Sequence, residues 1–180
     1  MLPDEAVARA DQLAELYGAA MGYAAEPVGR WAEVLRGTAH AYAGATVLTA
    51  EDSSGEILGF LYGFDVNREN WWPREVAGTL TERGHGEWLE DAFELMDLQV
   101  HPRAQGRGIG SGLLRRQCAE MPHARMLLAT HPAGRARHLY RRLGFVDLAP
   151  DFVYAGTTER AALMGWQAQA DEAGSPSTSA

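Results

Sequence analysis

The 180-residue chain reads as an α/β protein. Three observations lead there: two amphipathic helical stretches at the start, an apolar hairpin after them, and from Phe93 onward an alternation of strand-like and helix-like segments punctuated by glycine and proline. The length suits one domain with a substantial core, expected over 1–167, and 46% hydrophobic with 22% charged residues is ordinary soluble composition.

Residues 4–20 and 26–40 carry apolar side chains at helical spacing, and Pro27 suits the first turn of the second helix. Residues 46–50 and 57–65 read as strands joined by the turn Asp52-Ser53-Ser54-Gly55, hence a β-hairpin. Asn70 to Gly84 reads as a helix or lid containing Trp71-Trp72, followed by the flexible link Gly84-His85-Gly86. A strand over 93–100, a helix over 108–121 stopped by Pro122, a buried strand over 125–130 and a helix over 133–143 ending at Gly144 come next. Strands near 145–154 and 160–167 complete the order, and the small, polar 168–180 is expected to be a disordered tail.

The richest segment is Phe93 to Leu114, where an apolar strand meets a proline and returns as a glycine-rich turn opening a helix. Unobstructed N–H groups at a helix N-terminus attract an anion. The dinucleotide fingerprint fails because Ser111 stands where its third glycine belongs. The ATP/GTP loop fails because the chain has no lysine, all 16 basic residues being arginine, which also removes lysine Schiff-base chemistry. What stands is Gln105-Gly106-Arg107-Gly108-Ile109-Gly110, a Q-x-x-G-x-G turn preceded by Leu98-Gln99-Val100-His101-Pro102. This segment resembles the acetyl-CoA-binding motif of the GNAT superfamily of N-acetyltransferases.

A second block, Ala136-x-x-x-Tyr140-x-x-x-Gly144-Phe145, resembles the GNAT signature helix whose tyrosine lies near the CoA sulfur. The resemblance is densest over 93–146 and runs in outline over 44–167. It implies an α+β GNAT fold, with a central mixed, largely antiparallel sheet, parallel strands splayed at the CoA site, and flanking helices. Two departures stand out: Ala133 replaces the asparagine of many members, and only Met1-Leu2 precede the first helix where the family usually has a strand. Either that strand is absent or the gene start is short.

A net charge of −8 hides a segregation of sign. Residues 101–142 hold nine arginines against Glu120 alone, whereas 43–100 hold twelve acids against Arg68, Arg74 and Arg83. A basic lobe for an anionic ligand and an acidic lobe for a cationic one follow, which the resemblance matches to CoA and an amine. The pI of about 5.2 and the overlap of the arginines with the cofactor motif speak against nucleic acid. The lone Cys118 excludes an internal disulfide, the six scattered His show no ligand spacing for a metal, and no stretch approaches the ~20 apolar residues of a membrane span. With no signal-peptide layout, a cytoplasmic protein is expected. A homodimer is common in the family.

The resemblance implies an acetyl transfer from acetyl-CoA to a primary amine by direct attack in a ternary complex. Leu98, Gln99 and Val100 would pair with the pantetheine arm, and Gln105, Gly106, Arg107, Gly108, Ile109, Gly110 and Ser111 would hold the pyrophosphate. Tyr140 is the candidate acid for the departing thiolate. Glu94 is the candidate base, with parity placing it on one face with Met96, Leu98 and Val100 and placing Asp97 opposite. Glu82, His85, Glu87, Glu90, Asp91 or a solvent chain are the alternatives. Trp31, Trp71, Trp72 and Trp88, aromatics among carboxylates, are candidates for the acceptor pocket. A small cationic amine leads; a protein N-terminus or lysine, and a non-catalytic acyl-CoA-binding regulatory module, are the other readings.

Overall fold

The computed structural model describes residue 1 and residues 3–169, so most of the expected tail lies outside the described residues. The first helical stretch divides into α1 (Pro3–Ala8) and α2 (Ala10–Met21), because Arg9 leaves helical geometry at φ −101°, ψ 9°. Its guanidinium bridges to Glu51 on the neighbouring strand at 2.5 Å. Helix α3 (Ala25–Ala41) packs on α2 and buries Trp31, Ala32, Leu35 and Ala39. Among the described residues no strand precedes α1; instead the Met1 amino group donates to the Val47 carbonyl at 2.9 Å.

The hairpin forms as its turn chemistry dictates: β1 (Thr46–Glu51) and β2 (Ile57–Asp65) are joined by a turn in which Asp52 accepts from the Ser54 and Glu56 N–H groups. Trp71–Glu82 is a full helix, α4, whose Val76 and Leu80 are fully buried. Strand β3 (Ala92–Val100), helix α5 (Ile109–Glu120), strand β4 (Arg125–Thr130), helix α6 (Arg135–Arg142), and strands β5 (Val146–Val153) and β6 (Arg160–Gln167) follow in the expected order.

The six strands form one sheet in the order β1-β2-β3-β4-β6-β5, antiparallel except for the central β3–β4 pair. This is the mixed, largely antiparallel sheet that the resemblance implies. One face carries Phe60, Tyr62 and Phe64 under α1–α3, continuing into Leu127 and Leu163 under α4. The opposite face carries Leu61, Phe93, Leu95, Met126 and Leu128 against α5 and Tyr140 of α6.

The strand alternation expected for 93–100 breaks at Met96. Tyr62 pairs with Asp97 while Gly63 pairs with Leu95, so two residues of β3 oppose one step of β2 and Met96 bulges out. Leu95 and Leu98, three apart, therefore share the α5 face. Glu94, opposite Phe64, and Asp97, opposite Tyr62, share the other. The expectation that Asp97 lies across the sheet from Glu94 is corrected: the extra residue inverts parity for everything after it.

Candidate active site

The site begins where β3 and β4 part. Their parallel pairing covers only Ala92–Glu94 against Arg125–Leu127, after which β4 stays with β6 and β3 stays with β2. Leu98, Gln99 and Val100 pair with Leu61, Phe60 and Gly59 on one side, beyond the last β3–β4 pair on the other. An extended ligand could complete that edge, because a strand's outer N–H and C=O groups ask for partners.

At the end of β3 the chain turns through Pro102–Ala104 into the glycine turn, where Gly106 and Gly108 adopt φ +78° and +81°. A side chain at either position is strained there, and Gly108 is itself the N-cap of α5. Gln105 turns back, its Nε2 donating to the Val100 carbonyl at 3.1 Å, so its side chain braces the turn rather than pointing into it. The first-turn N–H groups of α5, at Ile109, Gly110 and Ser111, lack the preceding carbonyls a helix interior supplies. These residues could hold the phosphates of coenzyme A: half-buried backbone donors at a helix N-terminus, with Arg107 beside them in solvent.

The basic lobe is less free than its count suggests. Arg103 pairs with Glu56, Arg116 with Glu120, and Arg137 and Arg141 with Asp147. Arg125 donates to the Glu87 and Glu90 carbonyls. Among the described residues, Arg107, Arg115, Arg135 and Arg142 make no such pair.

On the face opposite α5, a cavity of ≈ 310 Å³ opens at the parting of the strands, between Leu95–Met96 of β3 and Ala129 of β4. Tyr42, Phe64, Trp71, Trp72 and Tyr154 supply its aromatic walls, and Glu94 is its carboxylate. Glu94 is 7% exposed and its Oε2 has no hydrogen-bond partner. Burial without compensation pushes its carboxyl from an ordinary 4.5 up to about 8. An unpaired buried carboxylate is costly to keep, so a group that donates to it could be held here.

Asp97, one bulged step along the same face, is differently held. Trp31 Nε1 donates to its Oδ2 at 2.7 Å and Gln99 Nε2 to its Oδ1 at 3.3 Å. Burial lifts its carboxyl to about 6, against the pull of those two donors. Tyr140 is buried on the α5 side, tilted against Phe145 at 5.5 Å between ring centroids. Burial raises its phenol above the ordinary value, with the Asp97 charge adding to the effect.

The structure brings Glu94, Trp71 and Trp72 into one cavity. It places two expected pocket residues elsewhere. Trp31 stacks on Tyr17 at 5.2 Å and serves Asp97, while Trp88 packs in the core against Gly165, where a side chain would collide with its ring. Tyr154, Tyr42 and Met96 join the lining beyond the sequence expectation: Tyr154 arrives from just past the end of the edge strand β5, and Met96 is the extra residue of the bulge. Among the described residues no group of three His, Cys, Asp or Glu is placed to hold a metal, and no helix is long and apolar enough to cross a membrane.

Comparison with known proteins agrees with this fold. Residues 43–147 match the acetyltransferase (GNAT) domain family. The GCN5-like protein acetyltransferase Rv2170 of Mycobacterium tuberculosis is 36% identical over 125 residues, 64% of this chain, and the match spans 61% of that relative's length. A Corynebacterium glutamicum protein described as histone acetyltransferase HPA2 and related acetyltransferase superposes with a TM-score of 0.63 at 22% identity, covering 91% of this chain and 94% of that one. The PaiA N-acetyltransferase of Thermoplasma acidophilum, solved with coenzyme A, gives 0.60 at 14% identity, covering 90% and 94%.

Proposed function

Because the chain belongs to the GNAT acetyltransferase family, we propose that it transfers an acetyl group from acetyl-CoA to the primary amine of a small cationic molecule. The observation that carries this reading is the unpartnered Oε2 of Glu94 in an aromatic-walled cavity at the parting of β3 and β4. Acetyl-CoA supplies the thioester, and its thiol leaves as the amide forms. We assign the β3 edge at Leu98–Val100 to the pantetheine arm and the turn Gln105–Ser111 to the phosphates.

Each remaining demand falls on a residue of this chain. An alkylammonium holds its proton to about pH 10, so it must lose it before its lone pair can attack. Glu94, near 8, is matched to collect that proton directly or through one water. The aromatic walls hold the cation's apolar body and exclude bulk water, which strengthens the carboxylate's pull. A β3 N–H, at Leu98 in our reading, polarises the thioester carbonyl. Tyr140, kept protonated by burial, donates to the departing sulfur. A cytoplasmic setting, where acetyl-CoA is made, belongs to the same reading.

One observation favours a second acceptor, a protein lysine: the Mycobacterium tuberculosis relative is described as a protein acetyltransferase. Thiol release from acetyl-CoA, measured across a panel of small amines and lysine peptides, separates the two. Turnover of small amines supports the leading reading. Turnover of peptides alone replaces it, and coenzyme A binding with no turnover on either removes catalysis.

A further inference from the structure

Trp71 and Tyr154 wall the Glu94 cavity, but they also wall a second one. Their rings stack with centroids 6.0 Å apart and planes 11° from parallel. The same pair also lines a separate hollow of ≈ 270 Å³, whose other walls are Glu75 of α4 and Ala155, Thr157 and Glu159 of the turn between β5 and β6. The turn is fixed there: Tyr154 N–H donates to the Glu159 carbonyl, Glu159 N–H to Thr157 Oγ1 at 3.0 Å, and Ala155 N–H to Glu75 Oε1 at 2.6 Å. Among the described residues neither Glu75 nor Glu159 has a salt-bridge partner.

We propose that this second hollow seats a second ammonium group of the acceptor, so that the preferred substrate is an aliphatic diamine whose chain crosses the Trp71–Tyr154 pair. The inference rests on the reading of the Glu94 cavity as the acceptor pocket and extends it. The two hollows share a wall, and each offers carboxylate at its own side: the buried, unpartnered Oε2 of Glu94 in one, Glu75 and Glu159 in the other. The Tyr154 hydroxyl feels all three carboxylates, their charges adding to burial in raising its value. Trp71, 67% exposed, offers an aromatic face over which methylene groups and a cation can lie. A monoamine would use only the first hollow.

Calorimetric binding to the full chain, comparing α,ω-diamines with n-alkylamines of the same length, tests this without requiring turnover. Diamines of a favoured length should bind more tightly than their monoamine counterparts. Glu159→Gln should weaken the diamine by roughly fivefold, as for an exposed ion pair, and leave the monoamine unchanged. Glu75→Gln, whose amide oxygen can still accept from Ala155, serves as the second variant. Equal binding of diamine and monoamine, or a diamine preference that survives both variants, overturns the second seat; so does binding of lysine peptides but no diamine. Monoamine acetylation without a diamine preference leaves the transferase reading standing, whereas no acetylation of any amine removes the reading of the Glu94 cavity itself.

Discussion

Glu94 and Asp97 lie on one face of β3, three residues apart, because Met96 bulges between them. A regular strand would put them on opposite faces. The bulge thus sets two carboxylates of unequal character side by side, Glu94 unpartnered and Asp97 tied to Trp31 and Gln99. Burial raises both carboxyls, Glu94 to about 8 with no donor to oppose it and Asp97 to about 6 against its two donors. The group left without a donor is the one placed in the cavity with room for a cation.

Glu94→Gln should lower kcat/KM by about a hundredfold or more if the carboxylate removes the ammonium proton. It should also remove an acidic limb near pH 8, the value to which burial pushes this carboxyl. Stability supplies an independent readout. A carboxyl whose folded value rises from 4.5 to about 8 keeps its proton in the native state while the unfolded chain has lost it. Wild-type stability therefore falls as pH rises through that window, by up to about 1.4 kcal/mol per pH unit, and levels off above it. The Gln variant should show a shallower fall, read by denaturant titration across that window.

Gly63 faces the same bulge from β2. A Cβ there would overlap the Glu94 carbonyl oxygen and come 2.5 Å from a Phe93 ring carbon, both held by the sheet. Gly63→Ala should cost about 1–3 kcal/mol of stability, as overpacking does, and should disturb Glu94 first. A midpoint in urea unchanged from wild type would show that β2 and β3 can shift apart at the bulge.

The elements legible in the sequence are those with local punctuation. Glycine and proline marked the turn at 105–110, and the apolar stripe around Tyr140 marked α6, since both signals lie within a few residues of what they specify. Trp88 misled for a related reason: its neighbours Glu87 and Glu90 are local, but the space for its ring comes from Gly165 on another strand. The cavity wall was illegible because Tyr42, Phe64, Ala129 and Tyr154 meet only through strand order. The apolar phase of 93–100 shifts at Leu95-Met96, from 93 and 95 to 96, 98 and 100, but which residue is the extra one, and so which carboxylates share a face, needed the register itself.

His123, between α5 and β4, ties the end of β2 to the residue before β3, its Nε2 at 2.7 Å from Asp65 and its Nδ1 at 3.0 Å from Asp91. Burial opposes its charge, but the bonds from the two carboxylates prevail and raise its value above the ordinary 6.5. A histidine raised in the folded state contributes stability that is complete below pH 6.5 and is lost as pH climbs through the raised value. Asp91, held below its ordinary 3.8 first by the His123 bond, fails in turn as strong acid protonates it. His123→Ala should melt below wild type under mildly acidic conditions, and the gap should narrow as pH rises past the titration. A gap independent of pH would mean the imidazole serves only by packing.

Tyr140→Phe separates chemistry from packing at the thioester end. The ring is 6% exposed and leans on Phe145, contacts that phenylalanine keeps, so thermal stability should move little. What disappears is a hydroxyl that burial holds protonated far into the alkaline range. If it donates to the departing sulfur, kcat should fall by about a hundredfold while the KM for acetyl-CoA barely changes, because the donor acts on charge that appears only as the bond breaks. A chromogenic thioester with a more acidic leaving thiol should recover much of the lost rate, since that thiolate has less need of a proton. An equal defect with both thioesters would make Tyr140 a residue that shapes the parting of β3 and β4 rather than an acid.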